Sequence, residues 1–243
     1  MEHFTDQALV LSTVDYGDAD RLVTLFTLTR GKLTAFAANA RKSKRRFAGA
    51  LEPFTLLKVQ LVERRGTTYR LDSVDIERGF YSIRDELPRI ARALYCVELC
   101  RELVREQEPH EQLFYTAVSY LDLLEHQAAG PTSLIAFELS ALAQAGLQPR
   151  FDACSLCGGA LSERVLFDPE HGGAVCEACA ERAHGQPVSP ELIRALAQIQ
   201  EGEKLPLSPE SRRTARDLLN GFIAHHLGKR LKSVDFMRQV GVD

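Results

Sequence analysis

FTLLKVQLV, residues 54–62, is rich in aliphatic and aromatic side chains, and within it residues 59–61 alternate strictly between apolar and polar. Such a period of two is typical of a strand with one face in water. Similar runs predict five strands, at residues 8–14, 22–28, 33–37, 54–62 and 68–76. Five short strands are too many for a helical domain and too few for a large sandwich, so we predict a small closed or nearly closed barrel.

Beyond Phe80 the apolar residues recur every three or four positions, which indicates helices. Two apolar stripes lie at residues 87–97 and 114–124, and a third helix is expected between Pro131 and Gly146. Two later helices are expected to begin with the sequence Ser-Pro-Glu, one at Ser189 and the other at Ser208. This order supplies a hydroxyl for the N-cap, a proline for the first turn and an acid for the helix dipole.

These patterns predict an α+β fold in which a small N-terminal β-barrel is followed by a helical bundle. We place the first domain at residues 1–80 and the helical domain at residues 81–243, with a Gly-, Cys- and Pro-rich insert at about residues 151–187.

The composition limits the classes of protein. The chain has 243 residues, 45% of them hydrophobic, and a formal net charge of −3, as expected for a soluble globular protein. Its apolar runs are far shorter than the roughly 20 residues of a membrane span, and we expect no membrane association. The first six residues lack a signal-peptide pattern, so we expect a cytoplasmic location. Walker and GxGxxG motifs are absent from the sequence, which argues against an ATPase or a dinucleotide enzyme.

Four cysteines carry the clearest chemical signal. Cys154 and Cys157 form one CxxC pair, and Cys176 and Cys179 form another after 18 intervening residues. Two CxxC turns at this spacing are typical of a zinc site, and an iron–sulfur cluster is the main alternative metal group. Disulfides are the non-metal alternative, which a reducing cytosol disfavours.

The arrangement of ligands favours a structural metal. Four thiolates close the tetrahedron of a zinc ion, whereas a catalytic zinc keeps one position open. His171 and His184 flank the second CxxC pair and would be superfluous as ligands. We therefore expect one structural Zn²⁺ per chain, no catalytic residue and no enzymatic activity, and an insert that folds only with its metal.

A basic segment, residues 41–46, holds five cations in six positions, and residues 1–80 hold 13 Lys and Arg against 10 Asp and Glu. In a small barrel, a cationic loop near aromatic side chains is typical of single-strand binding. The candidates for stacking on bases are Phe36, Phe47, Phe54 and Tyr69. The acidic residues within positions 15–20 argue against DNA binding, because they would repel a phosphate backbone. The predicted DNA contacts are Lys32, Arg41, Lys42, Lys44, Arg45, Arg46, Arg64 and Arg65.

A second basic cluster, Arg212, Arg213 and Arg216, lies at the start of the last long helix, near apolar residues at 218, 219 and 222. Such cations would suit a contact with another protein or with DNA. The alternative is that these arginines are solvated or pair with Glu210 and Asp217.

Several motifs in this order resemble the bacterial recombination mediator family RecO. They are residues 16–21, 25–27, 30–32, 40–42, 137–139, 146–149, 154–158 and 231–233, so the resemblance covers essentially the whole chain. Ala38-Asn39 stands where the resemblance leads us to expect a lysine-glycine pair. The resemblance implies an N-terminal OB fold, a helical domain and a zinc module.

The same resemblance implies a function. It implies binding of single- and double-stranded DNA without nucleotide hydrolysis, annealing of complementary strands, and a nucleoid-associated location. It also implies action with RecR, and sometimes RecF, to help RecA displace single-strand-binding protein, whose tail would dock on the arginine cluster. From the residues alone two alternatives stay open. One is a protein-interaction adaptor that is cross-linked by zinc and does not bind DNA, and the other is a metal-dependent enzyme with an unrecognised pocket.

Overall fold

The chain divides into two compact units, Met1–Ala128 and Ala129–Asp243. The fold is α+β, as predicted: a five-stranded barrel, helices after it, and a cluster of four cysteines. Our computed structural model describes residues 3–43, 46–47, 49–63 and 69–242. Within these residues, no helix is both long enough and apolar enough to cross a bilayer.

The barrel occupies most of the first unit. Its strands are β1 (His3–Tyr16), β2 (Asp20–Thr27), β3 (Gly31–Ala37), β4 (Leu56–Glu63) and β5 (Tyr69–Arg78). They close in the order β1-β2-β3-β5-β4, and every neighbouring pair is antiparallel except β3 and β5. Inward side chains such as Val23, Leu25, Leu57 and Leu61 are fully buried and form the core. The predicted small closed barrel is thus confirmed.

Helices cover one end of the barrel's outer face. A 3₁₀ turn, Tyr81–Asp85, leads into α1 (Leu87–Leu103) and α2 (Glu111–Glu125). Phe26 of β2 packs edge to face on Phe114 of α2, with ring centroids 5.4 Å apart. Both helices belong to the same compact unit as the barrel. The domain boundary at residue 80 stays a prediction, namely that residues 1–80 fold as a domain of their own.

Four helices build the second unit. They are α3 (Ser133–Gln144), α4 (Pro190–Gln200), α5 (Pro209–Leu227) and α6 (Lys232–Gln239). Both predicted serine caps are confirmed: the hydroxyl of Ser189 accepts from the amide of Leu192, and that of Ser208 accepts from the amide of Ser211. The sequence did not predict α6, because its eight residues are too short to show a period.

The insert between α3 and α4 contains a small sheet. Its strands β6 (Val165–Asp168), β7 (Gly173–Cys176) and β8 (Gln186–Val188) pair antiparallel in the order β7-β6-β8. A 3₁₀ turn, Glu177–Arg182, follows β7. Strands of three or four residues leave no detectable alternation, so the sequence pattern predicted no strand in this insert.

Candidate metal centre and nucleic-acid interface

The two CxxC turns bring four sulfur atoms together. The Sγ atoms of Cys154, Cys157, Cys176 and Cys179 all lie within 4.8 Å of one another. Three of these residues are buried, and Cys157 is exposed. Four thiols at such distances are able to share one metal ion, and this is the chemistry that the sequence spacing predicts.

Local backbone geometry holds the sulfur atoms in place. The amide of Cys176 donates to the Sγ of Cys154, and the amide of Gly159 donates to the Sγ of Cys157, both at 3.4 Å. Arg182 donates to the Sγ of Cys179 at 3.0 Å. Such donors stabilise thiolates and orient them, as outer contacts do around metal sites. A Cβ at Gly173, whose φ is +152°, would lie 2.3 Å from the carbonyl oxygen of Arg150, so only glycine fits there.

The thiols do not ionise equally. Burial raises the pKa of Cys176, and hydrogen bonds with the other three thiols add to this effect, so that it reaches about 11. Burial also acts to raise the pKa of Cys154, but backbone N–H donors from Cys176, Cys157 and Leu156 outweigh it and lower the pKa to about 6. A divalent cation is the group that would let all four thiols ionise together, because it offsets the repulsion between adjacent thiolates.

The two histidines beside the second CxxC pair are held by a carboxylate. The Oδ2 of the buried Asp168 lies 2.9 Å from the Nδ1 of His171 and accepts from the amide of His184 at the same distance. The amide of Glu170 donates to the other oxygen at 2.9 Å. Asp168 therefore anchors two loops of the insert, and the ring of His171 is committed to this contact.

Arg41, the first residue of the basic segment, lies beside the β1–β2 hairpin. The amide of Arg41 donates to the carbonyl of Ala19, and its guanidinium lies 3.5 Å from the carboxylate of Asp15. Lys42 and Arg46 are exposed, and Arg46 also donates to the carbonyl of Ala38. The structure thus brings Arg41, Lys42 and Arg46 to one end of the barrel. Of the other five predicted contacts, Lys44, Arg45, Arg64 and Arg65 lie outside the described residues.

Lys32 has a different environment from the rest of the predicted DNA contacts. Its side chain is only 16% exposed, and its Nζ lies 3.6 Å from the carboxylate of Glu106. The same ammonium donates to the carbonyl oxygen of Arg101, in the last turn of α1, at 2.8 Å. A positive charge at this position interacts favourably with the negative, C-terminal end of the α1 dipole. Lys32 is therefore engaged where β3 meets α1.

Most of the aromatic residues considered for base stacking are core residues. Phe47, Phe54 and Tyr69 are between 2% and 5% exposed, whereas Phe36 is partly exposed. Tyr16 lies two residues beyond the predicted first strand, but it is the last residue of β1 and is 56% exposed. The signal that could have identified it is its position two residues after Val14, which puts both side chains on one face of the strand.

The arginine cluster of the second unit is partly internal. The guanidinium of Arg216 is buried and forms an ion pair with the buried Glu138 of α3. Arg212 donates to the carbonyl of Leu207 at 3.0 Å. The neighbouring apolar residues at positions 218, 219 and 222 are at most 1% exposed, so they belong to the core of the second unit.

Comparison with known proteins identifies the family. Residues 1–80 match the family profile described as Recombination protein O N terminal, and residues 84–235 match the one described as Recombination protein O C terminal. The chain belongs to the RecO family. It is 65% identical over 244 residues to the DNA repair protein RecO of Myxococcus xanthus, and the match covers 100% of both chains.

More distant relatives carry the same name. The DNA repair protein RecO of Anaeromyxobacter sp. (strain K) is 48% identical over 96% of this chain and 95% of its own length. That of Geobacter sulfurreducens is 38% identical over 96% of this chain and 97% of its own length. The resemblance deduced from the sequence motifs is therefore confirmed, and the chain is a member of a family of DNA repair and recombination proteins.

The departure from the family signature is accommodated by the backbone. Asn39, where the resemblance leads us to expect glycine, adopts a φ of +56°, and its amide donates to the carboxylate of Asp20 at 2.7 Å. Asparagine is among the few non-glycine residues that adopt this left-handed conformation readily. The turn that enters the basic segment thus has the geometry that a glycine would allow.

Proposed function

We propose that the chain is a DNA-binding recombination mediator. In this proposal it anneals complementary strands and helps RecA load onto DNA coated with single-strand-binding protein, without hydrolysing nucleotides. The observation that carries the proposal is the exposure of Arg41, Lys42 and Arg46 beside one end of an OB-like barrel. Cations there suit a phosphate backbone, and the relatives named as DNA repair proteins support this interpretation.

We infer that the metal is zinc and that its role is structural. A tetrahedron with Zn–S bonds of about 2.3 Å has sulfur atoms about 3.8 Å apart. The Sγ atoms of Cys157 and Cys176 are 3.8 Å apart, which supports a fit to that ion. When bound, zinc would cross-link the two CxxC turns, with all four of its ligand positions taken by cysteine. Four cysteine ligands leave no position for a substrate, and this supports a protein that is not an enzyme.

The partners follow from the family resemblance. We propose single- and double-stranded DNA, RecR, and the tail of single-strand-binding protein as direct partners, with RecF and RecA as further members of the same process. Arg212 and Arg213 remain candidates for docking the acidic tail, while Arg216 is committed to Glu138. Work on DNA would place the protein in the cytoplasm, in association with the nucleoid.

The direct test is binding of a labelled oligonucleotide across a salt series. Replacement of Lys42 and Arg46 with Ala should weaken binding similarly for all sequences. It should also flatten the slope of log affinity against log salt by about 0.7 to 0.9 for each lost phosphate contact. Lys58→Ala, which removes an exposed lysine of β4, is the matched control and should leave the slope unchanged.

Two results would count against the proposal. Wild-type protein that does not bind DNA at low salt would favour an interaction adaptor instead. An unchanged salt slope in the Lys42 and Arg46 variants would move the DNA site away from this end of the barrel. Mediator activity itself is tested by annealing of complementary oligonucleotides and by RecA loading on strands coated with single-strand-binding protein.

A further inference from the structure

A row of three apolar residues that ends in an arginine crosses the outer face of the barrel. Val14 pairs with Leu22, Leu22 pairs with Phe36, and Phe36 pairs with Arg70, so the row crosses β1, β2, β3 and β5. Their neighbours Val23, Ala35 and Tyr69 point into the core, so this row points outward. Three steps between strands at about 4.8 Å make the row about 14 Å long.

Tyr16 extends this row toward the hairpin end. Its ring packs edge to face on Phe36, with centroids 6.0 Å apart. Val14 is 61% exposed and Tyr16 is 56% exposed, while Leu22 and Phe36 are half-buried. We call Val14, Tyr16, Leu22 and Phe36 the outer strip.

The exposure of the outer strip is local. Farther along the same strands, Phe26 is fully buried against Phe114 of α2, and Lys32 is engaged by the end of α1. The helices thus cover one end of this face and leave the strip open. The strip is therefore a contiguous apolar surface that is open to a ligand or partner.

Cations bracket the outer strip. Arg70, whose guanidinium also donates to the carboxylate of Asp72 at 2.8 Å, ends the row on β5, and Arg41 lies beside the turn that follows Tyr16. Two of the hairpin carboxylates are held by neighbours: Asp15 lies 3.2 Å from Arg21 and 3.5 Å from Arg41, and Asp20 accepts from the amide of Asn39. An apolar aromatic surface with cations at both ends matches a polyanion whose bases are free to stack.

We propose that Tyr16 and Phe36 form a stacking platform for the bases of single-stranded DNA, with Arg70 and Arg41 contacting the adjacent phosphates. This inference rests on the proposed function and deepens it, because it specifies the form of DNA that this surface selects. A duplex keeps its bases stacked on one another, so it cannot present their faces to the platform. The strip then favours separated strands over paired ones.

The test compares Tyr16→Ala and Tyr16→Phe with the wild-type protein on an oligo-dT strand and on a duplex of equal length. Tyr16→Ala should weaken binding to the single strand about tenfold, because stacking on an aromatic ring contributes this much per base. Tyr16→Phe keeps a ring and should bind as the wild type does. Duplex affinity and the salt slope should not change in either variant, because no phosphate contact is lost.

Tyr81→Ala is the matched control, because Tyr81 is 65% exposed and lies in the 3₁₀ turn that follows the barrel. It should leave single-strand affinity unchanged. A strand that carries 2-aminopurine gives a second readout, since stacking on the platform quenches its fluorescence. Quenching should occur with the wild type and with Tyr16→Phe, and be lost with Tyr16→Ala.

The outcomes separate this inference from the proposed function. If the wild type binds single strands but Tyr16→Ala binds them equally well, the platform is wrong and DNA binding stands. If Tyr16→Ala lowers single-strand and duplex affinity equally, the strip does not select single strands. If it leaves DNA binding intact but abolishes association with RecR, the strip is a protein interface. If the wild type binds no DNA, both proposals fail.

Discussion

The guanidinium of Arg216 on α5 forms an ion pair with the carboxylate of Glu138 on α3, and the two side chains are 6% and 0% exposed. Removal of either partner leaves the other charge buried without compensation. We expect Arg216→Ala to lower the free energy of unfolding of the second unit by about 3 to 5 kcal/mol, as measured by urea denaturation.

Two variants serve as controls for this ion pair. Arg194→Ala breaks a pair with Glu191 on the exposed surface of α4 and should cost less than about 1 kcal/mol. The double variant Glu138→Leu, Arg216→Met replaces both charges with apolar side chains and should recover much of the lost stability. Equal stability of Arg216→Ala and the wild type would show that the pair does not stabilise the fold.

The burial of Arg216 could not be predicted from the local sequence. Its neighbours Arg212 and Arg213 suggest an exposed basic face, and nothing in the local pattern reveals a carboxylate 78 positions away. The pairing of α3 with α5 decides which arginine turns inward. Helix starts were predictable because a serine cap acts within one turn, as at Ser189 and Ser208. Burial of a charge depends on tertiary packing, which the local sequence does not encode.

The barrel and the metal cluster were predictable for a similar reason. Alternation within single strands and CxxC spacing are local features, and both led to correct expectations about the fold and the meeting of four cysteines. The outer strip was not predictable, because Tyr16 precedes a glycine and an aspartate that indicate a turn. Its exposure follows from the register that β1 shares with β2, and from the position of the helices at the other end.

Asp15 restrains Arg41 of the proposed DNA surface and the neighbouring Arg21, because its carboxylate lies 3.5 Å from Arg41 and 3.2 Å from Arg21. Asp15→Asn removes one negative charge and frees Arg41 from this ion pair for a phosphate contact, whereas Arg21 keeps its ion pair with Glu52. We expect DNA affinity to rise up to about fivefold at low salt, which corresponds to the roughly 1 kcal/mol of an exposed pair. The gain should shrink as salt screens the charges.

Fluorescence anisotropy of a labelled oligonucleotide measures this change. Glu111→Gln is the control, since it removes the same charge at the start of α2, the helix that covers the opposite end of the barrel face. It should have little effect on affinity. Weaker binding by Asp15→Asn would mean that the carboxylate organises the site rather than restraining it.

Asp168 should stabilise the insert in a pH-dependent way. Burial alone would raise its pKa, but hydrogen bonds from His171 and from the amides of His184 and Glu170 outweigh it and lower the pKa. A carboxyl whose pKa is lower in the folded state contributes its full stability above the unfolded pKa of about 3.9. That contribution is lost as the pH falls through the folded pKa.

Asp168→Asn should therefore cost about 1 to 3 kcal/mol at pH 7, because buried donors lose a charged acceptor. The difference from the wild type should shrink as the pH is lowered below about 4. Thermal unfolding at several pH values checks this, and Glu163→Gln, an exposed acid of the same insert, is the control. A difference that stays constant with pH would exclude the carboxylate charge as the cause.

The cysteine cluster should bind about one zinc ion per chain, and its loss should unfold the insert while leaving the barrel folded. Cys176→Ser removes a ligand whose Sγ lies 3.8 Å from that of Cys157. Because metal binding and local folding are coupled, we expect this variant to lose zinc and to expose the insert to protease. Cys96→Ala, which alters a buried thiol of α1 in the other unit, should retain the metal. A metal-free protein with four freely reactive thiols and a protease-resistant insert would contradict the assignment, because nothing would then be cross-linking the two CxxC turns.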